Sequence, residues 1–508
     1  MKWRTWLIPV VMICGSLSVS GQRIVYSEPE KDDTRRINFE IAGKIGGNFL
    51  IYKNNRSRTW ISVLDNELAP VSTVELDYVP ANDRMINVDF FPYSDFCYMV
   101  YQYQKKNIVY CMAAKIGPDG KKIGEVKQLD TTQIGFAANN KIYSVVSSED
   151  KGRLAIFKIN SKNKKLYAMT VALFNDKLDE LKRTKLFIPM EERYDYLNDF
   201  HLDNDGDLVF TKFFRNSNDN ISNAFFIVKQ AQSDTLHYTE LKISETFLDE
   251  IHIKVDNYNK RYLLASFYYK QRRANIDGFY FFLWDKAKER TMLEDTLVFS
   301  EELRKEARGE NNARMAFNDY FIRNIITRRD GGFIIGSESY YTTSRFNSWN
   351  RWDYLYGSPF MSPMDNYYYY SPYYNNYWWN SRQNNNQSVR YHSDNIAILS
   401  FNKDARLEWS GVITKDQYDD QSDDLLSYQL MNTGGQLHFL FNKDEKRTLL
   451  LNDYSLSPEG ALTRNPTLKN LDRGYEFMPK YGKQVTSKQM IVPCQYRNYI
   501  CFAKIDYN

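Results

Sequence analysis

The chain is predicted to be all-β and to close into an eight-bladed propeller, with seven blades as the alternative count. Three observations lead there: a strand–turn–strand segment that recurs along the chain, an upstream strand pair before each copy, and a final copy that stops one strand short. The segment reads TWISVLDNEL from Thr59, VYCMAAKIGPDG from Val109, LYAMTVALFNDKL from Leu166 and NAFFIVKQAQSDTL from Asn223. It returns as GFYFFLWDKAKERT from Gly278, NIAILSFNKDARL from Asn395, TLLLNDYSLSPEGAL from Thr448 and, truncated, NYICFAKIDYN from Asn498. Period-2 alternation, β-branched and aromatic residues, and Gly or Asn/Asp turns mark these as strands rather than helices.

In chain order, residues 1–21 have the three parts of a secretory signal. Lys2 and Arg4 are the basic start, Trp6 to Cys14 the short apolar run, and Ser16 to Gly21 the small-residue cleavage region, with cleavage expected after Ser20 or Gly21. That run is too short to span a bilayer, and no later stretch reaches about 18 apolar residues, so no transmembrane segment is expected. Ile13 stands where a small residue precedes a lipid-modified cysteine, which weighs against lipidation of Cys14. The expected location is outside the cytoplasm: periplasm, outer-membrane associated or extracellular, with residues 22–508 as the propeller domain.

Next comes QRIVYSE, residues 22–28, a short alternating strand cut off from the first repeat by Pro29 and a charged run. Behind it each repeat adds two strands to the recurring pair, for example FEIAGKIGG and NFLIYKNN before the Thr59 copy. Four strands in an up-down meander of about 50–60 residues make a propeller blade. One such sheet has two apolar faces and cannot bury both alone; stacking blades around an axis buries them, and ring closure leaves none exposed. The eighth repeat lacks its fourth strand, and residues 22–28 are expected to supply it, zipping the two chain ends together. Residues 301–315 (EELRKEARGENNARM) read as helical and bridge two repeats.

The repeat spacing isolates an insertion, residues 342–393, between the second and third strands of blade six, far longer than the usual hairpin of about 2–5 residues. From Tyr340 to Trp379, 17 of 40 residues are aromatic and four are charged (Arg345, Arg351, Asp353 and Asp365), so exposed rings dominate the segment. Tyr and Trp suit wet interfaces because they offer a flat apolar face with a polar handle at low entropic cost. The candidate binding residues are therefore Trp349, Trp352, Tyr367, Tyr368, Tyr369, Tyr370, Tyr373, Tyr374, Tyr377, Trp378 and Trp379, with Asn386 and its neighbours adding polar contacts. A protein partner is the first reading; a glycan stacked on the tryptophans is the alternative. Such Tyr/Asn tracts also serve as structural caps or stay disordered.

After signal removal four cysteines remain. A turn at Arg497-Asn498 sets Cys494 opposite Cys501, within disulfide range although at a hydrogen-bonded position. A turn at Lys105-Lys106 sets Cys97 opposite Ala114, so Cys97 and Cys111 are not expected to pair. No C-x-x-C pair or Cys/His cluster points to zinc. His201, His237, His252, His392 and His438 share no spacing. The run Asp203-Asn204-Asp205-Gly206-Asp207 has oxygen ligands for calcium, but without a downstream Glu at EF-hand spacing it reads as a tight turn.

Several functions are disfavoured by composition. A net charge of +4, or +2 without Lys2 and Arg4, gives no field to argue for nucleic acid. Neither a nucleophile elbow nor a phosphate-binding glycine loop is present. Two acids brought together from different blades, as glycan cleavage needs, are invisible to spacing, whereas the sialidase-type Ser-x-Asp-x-Gly-x-Thr-Trp box is absent. The segments RRDGGFIIG (from Arg328), DNDGDLVF (from Asp203) and NTGGQLHF (from Asn432) resemble turn–strand pieces of exported bacterial β-propeller repeat proteins. That resemblance is one of repeat style and assigns no functional residue. The expectation is a non-catalytic protein-interaction platform in the cell envelope, without a cofactor or metal. The alternatives are a carbohydrate-binding propeller and, further off, a glycan-active hydrolase or lyase.

Overall fold

The computed structural model describes residues 22–507 except 32, 35–36, 56–57, 81–83, 139–140, 164, 191–193, 216–218, 244, 309–314, 345–388, 421, 446–447 and 467–473. The described strands form eight antiparallel sheets, each an up-down meander, as the repeat predicts. Seven use four or five strands consecutive in the chain; the eighth takes its outermost strand from the other end.

That strand is Arg23–Tyr26, which pairs with Tyr499–Asp506 so that Ile24 faces Ile505 and Val25 faces Lys504. The zip continues past the ladder: the Ser27 amide donates to the Phe502 carbonyl at 2.8 Å, and the Ile500 amide to the Asp33 carbonyl at 2.7 Å. Eight is therefore the blade count, and the ring closes on the N-terminal strand.

Each blade is apolar on both faces because a strand sends alternate side chains to opposite sides. In Asn48–Asn54, Phe49 and Ile51 pack toward blade eight, while Leu50 and Tyr52 pack toward blade two. The buried side chains fall into eight clusters, one per blade junction, where an open row of eight blades would leave only seven. Outermost strands such as Pro70–Glu75 and Arg290–Val298 are largely exposed.

Recurring turns have a common cause. Asp65, Asn175 and Asn402 each accept, on one side-chain oxygen, the amides two and four residues on. The residue three on (Leu68, Leu178, Ala405) takes a left-handed conformation, with φ of 58°, 61° and 55°. The side chain thus substitutes for the backbone hydrogen bonds that such a tight reversal leaves open.

The meander fixes two faces. Hairpins between second and third strands, and connections from one blade to the next, lie on one face; turns between first and second, and third and fourth, strands lie on the other. Helix Glu301–Arg308 sits on the connection face between blades five and six; residues 309–314 of the stretch predicted over 301–315 lie outside the described residues. Its Ala307 carbonyl accepts from Tyr320 Oη at 2.9 Å and Asn395 Nδ2 at 2.9 Å, tying it to blade six.

Candidate functional site

Blade six has the longest ladder. Its second and third strands, Phe333–Ser344 and Val389–Phe401, stay paired out to Ser344 opposite Val389. The expected insertion of 342–393 therefore begins as a ribbon, and residues 345–388 are what it carries. Trp349, Trp352, the seven candidate tyrosines, Trp378, Trp379 and Asn386 all lie outside the described residues. The fourth strand, Leu407–Asp419, accompanies the ribbon as far as Tyr391 opposite Asp419.

Aromatic and ionic contacts stiffen this stem. Tyr341 stacks on His392 with centroids 4.5 Å apart and planes within 6°. Arg390 forks onto both oxygens of Asp420, at 2.6 and 3.0 Å, and lies over the ring of Tyr418. At the root is a buried ion network. Lys415 Nζ reaches Glu338 Oε1 at 2.9 Å, the Ser393 carbonyl at 2.8 Å and Gln417 Oε1 at 2.8 Å, with Lys415 and Glu338 both about 1% exposed. Arg323 Nε, from the innermost strand, lies 3.3 Å from Glu338 Oε2. Burial alone would raise the Glu338 carboxyl, but Lys415 and Arg323 outweigh it and hold it below its ordinary range.

The innermost strands supply a second constellation that sequence reasoning missed. Glu40 on Asn38–Ile45 has its Oε2 sealed from solvent, with no hydrogen-bond partner among the described residues. Burial pushes this carboxyl up to about 8 against the opposing field of Lys483, with Asp89 of blade two adding to the rise. Lys483 Nζ donates to the carbonyls of Ile41 at 2.8 Å and Ala42 at 3.2 Å. Asp89, also raised by burial, accepts from Asn87 Nδ2 at 2.6 Å and faces the charge of Lys141. From blade eight to blade three the order is thus Lys483, Glu40, Asp89, Lys141, two adjacent acids flanked by lysines.

Between blades four and five the partners are imidazoles. Asp199 is left-handed at φ 58° where the ladder slips between Asn198 and His201. Its Oδ1 lies 2.9 Å from His201 Nε2, and its Oδ2 accepts the Ile253 amide. Burial pulls His252 down, but Glu250, Asp199 and Asp249 outweigh it and raise the imidazole to about 9. No spacing rule reveals these groups, because a polar residue alternating along a strand reads the same whether it faces water or the ring's centre.

The raised Glu40 carboxyl makes stability depend on pH. Its folded-state proton affinity exceeds the unfolded value of 4.5, so stability falls as pH rises from there to about 8 and is flat beyond. Glu40→Gln is expected to be neutral near pH 5 and stabilising above pH 8. A gain of roughly 1–3 kcal/mol is expected, below the full conversion because water reaches part of the side chain. Urea midpoints at the two pH values check it.

The acidic run is a turn, as predicted. Asp203 Oδ1 accepts the Asp205 and Asp207 amides at 2.9 Å each, and Gly206 sits at φ 93°. Its cation is a side chain: Lys286 Nζ reaches the carboxylates of Asp203, Asp205 and Asp207, the last at 3.0 Å. Among the described residues no cluster of three or more His, Cys, Asp or Glu is arranged to hold a metal, and no helix is long and apolar enough to cross a membrane.

Cys494 faces Cys501, as the turn predicted, and both sulfurs are buried. One register is corrected: the blade-two turn falls at Lys106-Asn107, not Lys105-Lys106, and sets Cys97 opposite Ile116 and Cys111 opposite Gln102. Lys106 adopts φ 54° there, a conformation the sequence did not single out. The conclusion that Cys97 and Cys111 do not pair stands.

These features define a closed β-propeller with a ribbon-mounted insertion on its connection face. No family model and no curated protein matches the chain. Among solved structures it is similar to a polysaccharide lyase, an ulvan lyase bound to -[GlcA(1-4)Rha3S]-, at 10% identity and TM-score 0.37, covering 82% of this chain and 94% of the lyase. It is also similar to prolyl oligopeptidase B from Galerina marginata, at 9% identity and TM-score 0.40; 92% of this chain is covered but only 56% of the peptidase. A Synechocystis apocarotenoid oxygenase follows at 9% identity and TM-score 0.35, covering 75% of this chain and 74% of the oxygenase. Likenesses this remote carry no argument about activity.

Proposed function

We propose that this protein is an exported, non-catalytic β-propeller of the bacterial cell envelope that serves as a platform for a protein partner, engaged on the connection face of blade six. The observation that carries this reading is the stem: three strands overrun the blade, braced by the Tyr341–His392 stack and the Arg390–Asp420 fork, at the root of the aromatic-rich residues 345–388. Aromatic rings presented on a rigid support lose little entropy on docking.

The test replaces residues 345–388 by Asn-Gly, a two-residue turn that suits the Ser344–Val389 pair. The variant is expected to keep its melting temperature within about 2 °C and to lose the envelope protein that co-purifies with the intact chain. Retention of that partner, or an intact chain that brings down none, overturns the reading. Binding to a glycan array that disappears in Trp378→Ala and Trp379→Ala would replace it with the carbohydrate alternative.

A further inference from the structure

We propose that Cys494 and Cys501 are joined by a disulfide in the exported protein, while Cys97 and Cys111 remain thiols, so that the strand holding the N-terminal segment is covalently stapled to its neighbour. The inference rests on the export reading, because an oxidising compartment is what lets such a bond persist.

Register, facing and selectivity carry it. Gln489–Tyr496 and Tyr499–Asp506 are joined by a two-residue turn and pair Cys494 directly with Cys501. Opposed residues at such a position have Cα atoms about 5.5 Å apart, inside the range a disulfide spans. Both side chains point to the same side of blade eight, into the core shared with blade seven. Cys97 and Cys111 meet none of these conditions. They are not register partners, and they face opposite sides of blade two, Cys97 toward blade one and Cys111 toward blade three.

The order of events follows from burial. In the assembled ring both sulfurs are fully shielded, and burial holds the Cys494 thiol well above its usual range, so attack by a thiolate is blocked once the blades have stacked. The hairpin is local in sequence, and its sulfurs meet before stacking. There a thiolate of one cysteine attacks a disulfide carrier of the export compartment, forming a mixed disulfide. The second thiolate then displaces the carrier sulfur. The two cysteines give up two electrons and two protons, and the carrier leaves as a dithiol. Stacking then seals the bond from reductants.

The test uses the full chain isolated from an exporting host, denatured with a maleimide present, with and without prior reduction, and read by intact mass and peptide mapping. Two adducts, on Cys97 and Cys111, rising to four after reduction, are expected. Four adducts without reduction, on a chain whose mass shows residues 1–21 removed, overturn the disulfide and leave export standing. A mass that retains residues 1–21 overturns export instead. That same chain is then refolded in oxidised and reduced glutathione: bridging of Cys494 with Cys501 supports the proposal, and any other pairing or none overturns it.

Discussion

Removing residues 22–28 is expected to unzip the ring and to produce the largest stability loss of any short deletion. The strand Arg23–Tyr26 contributes four registered pairs to blade eight, and Ser27 exchanges hydrogen bonds with Phe502 in both directions. Ile24 enters the core between blades seven and eight, Val25 the core between blades eight and one, and Tyr26 stacks on Tyr475 at 4.5 Å. Gln22 donates to the buried carboxylate of Asp453 in blade seven. At about 1 kcal/mol net per hydrogen bond and about 1–2 kcal/mol per half-buried apolar side chain, the loss is on the order of 5–10 kcal/mol. That is comparable to the whole stability of an ordinary domain, about 5–15 kcal/mol. Urea unfolding of the shortened chain should lose its single steep transition, and a peptide spanning residues 22–28 should restore it in trans. An unchanged midpoint would show that the ring closes without its zip.

Lys415→Met is expected to cost about 3–5 kcal/mol, the usual consequence of leaving a buried charge without its partner. Glu338 keeps Arg323 and the Ser427 hydroxyl, which places the loss toward the lower end. Adding Glu338→Gln should recover part of it, and the interaction energy from the double-mutant cycle is the quantity to measure. The pH dependence has the opposite sign to that of Glu40. The folded Glu338 carboxyl lies below its ordinary value of 4.5, so its contribution is complete above that pH and is lost as pH falls through the lower folded value. The stability difference between the wild type and Glu338→Gln should therefore stay constant above about pH 5 and change, to the wild type's cost, only below it. Because this network roots the stem, Lys415→Met should also weaken partner capture, whereas Lys286→Met, on the opposite face, should not.

The ring was legible in the sequence because blades repeat one pattern: period-2 strands and Asx turns recur often enough to be counted. The zip was legible for a related reason, since one strand was missing at the C-terminus and one was spare at the N-terminus. A one-residue error in the blade-two turn moved Cys97 from Ile116 to Ala114 because register hangs on which residue adopts positive φ, and Lys106 carries no glycine-like signal. Helix Glu301–Arg308 falls inside the stretch its charge and apolar pattern predict. Glu40, Asp89, Asp199 and Glu338 were not legible, because the cross-blade members of their surroundings (Lys483, Lys141, His252 and Ser427) stand at separations no local pattern encodes.

The position of the two chain ends makes circular permutation a natural operation on this molecule. Arg23 and Asp506 are register partners at the rim where the other blades place a third-to-fourth strand turn. A short linker from Tyr507 to Gln22 would complete that missing turn, and the chain could be reopened at the equivalent reversal near Leu68 or Leu178 without touching the connection face. Arg23 and Asp506 stand opposite the ribbon, so immobilising the molecule through either position leaves blade six pointing outward.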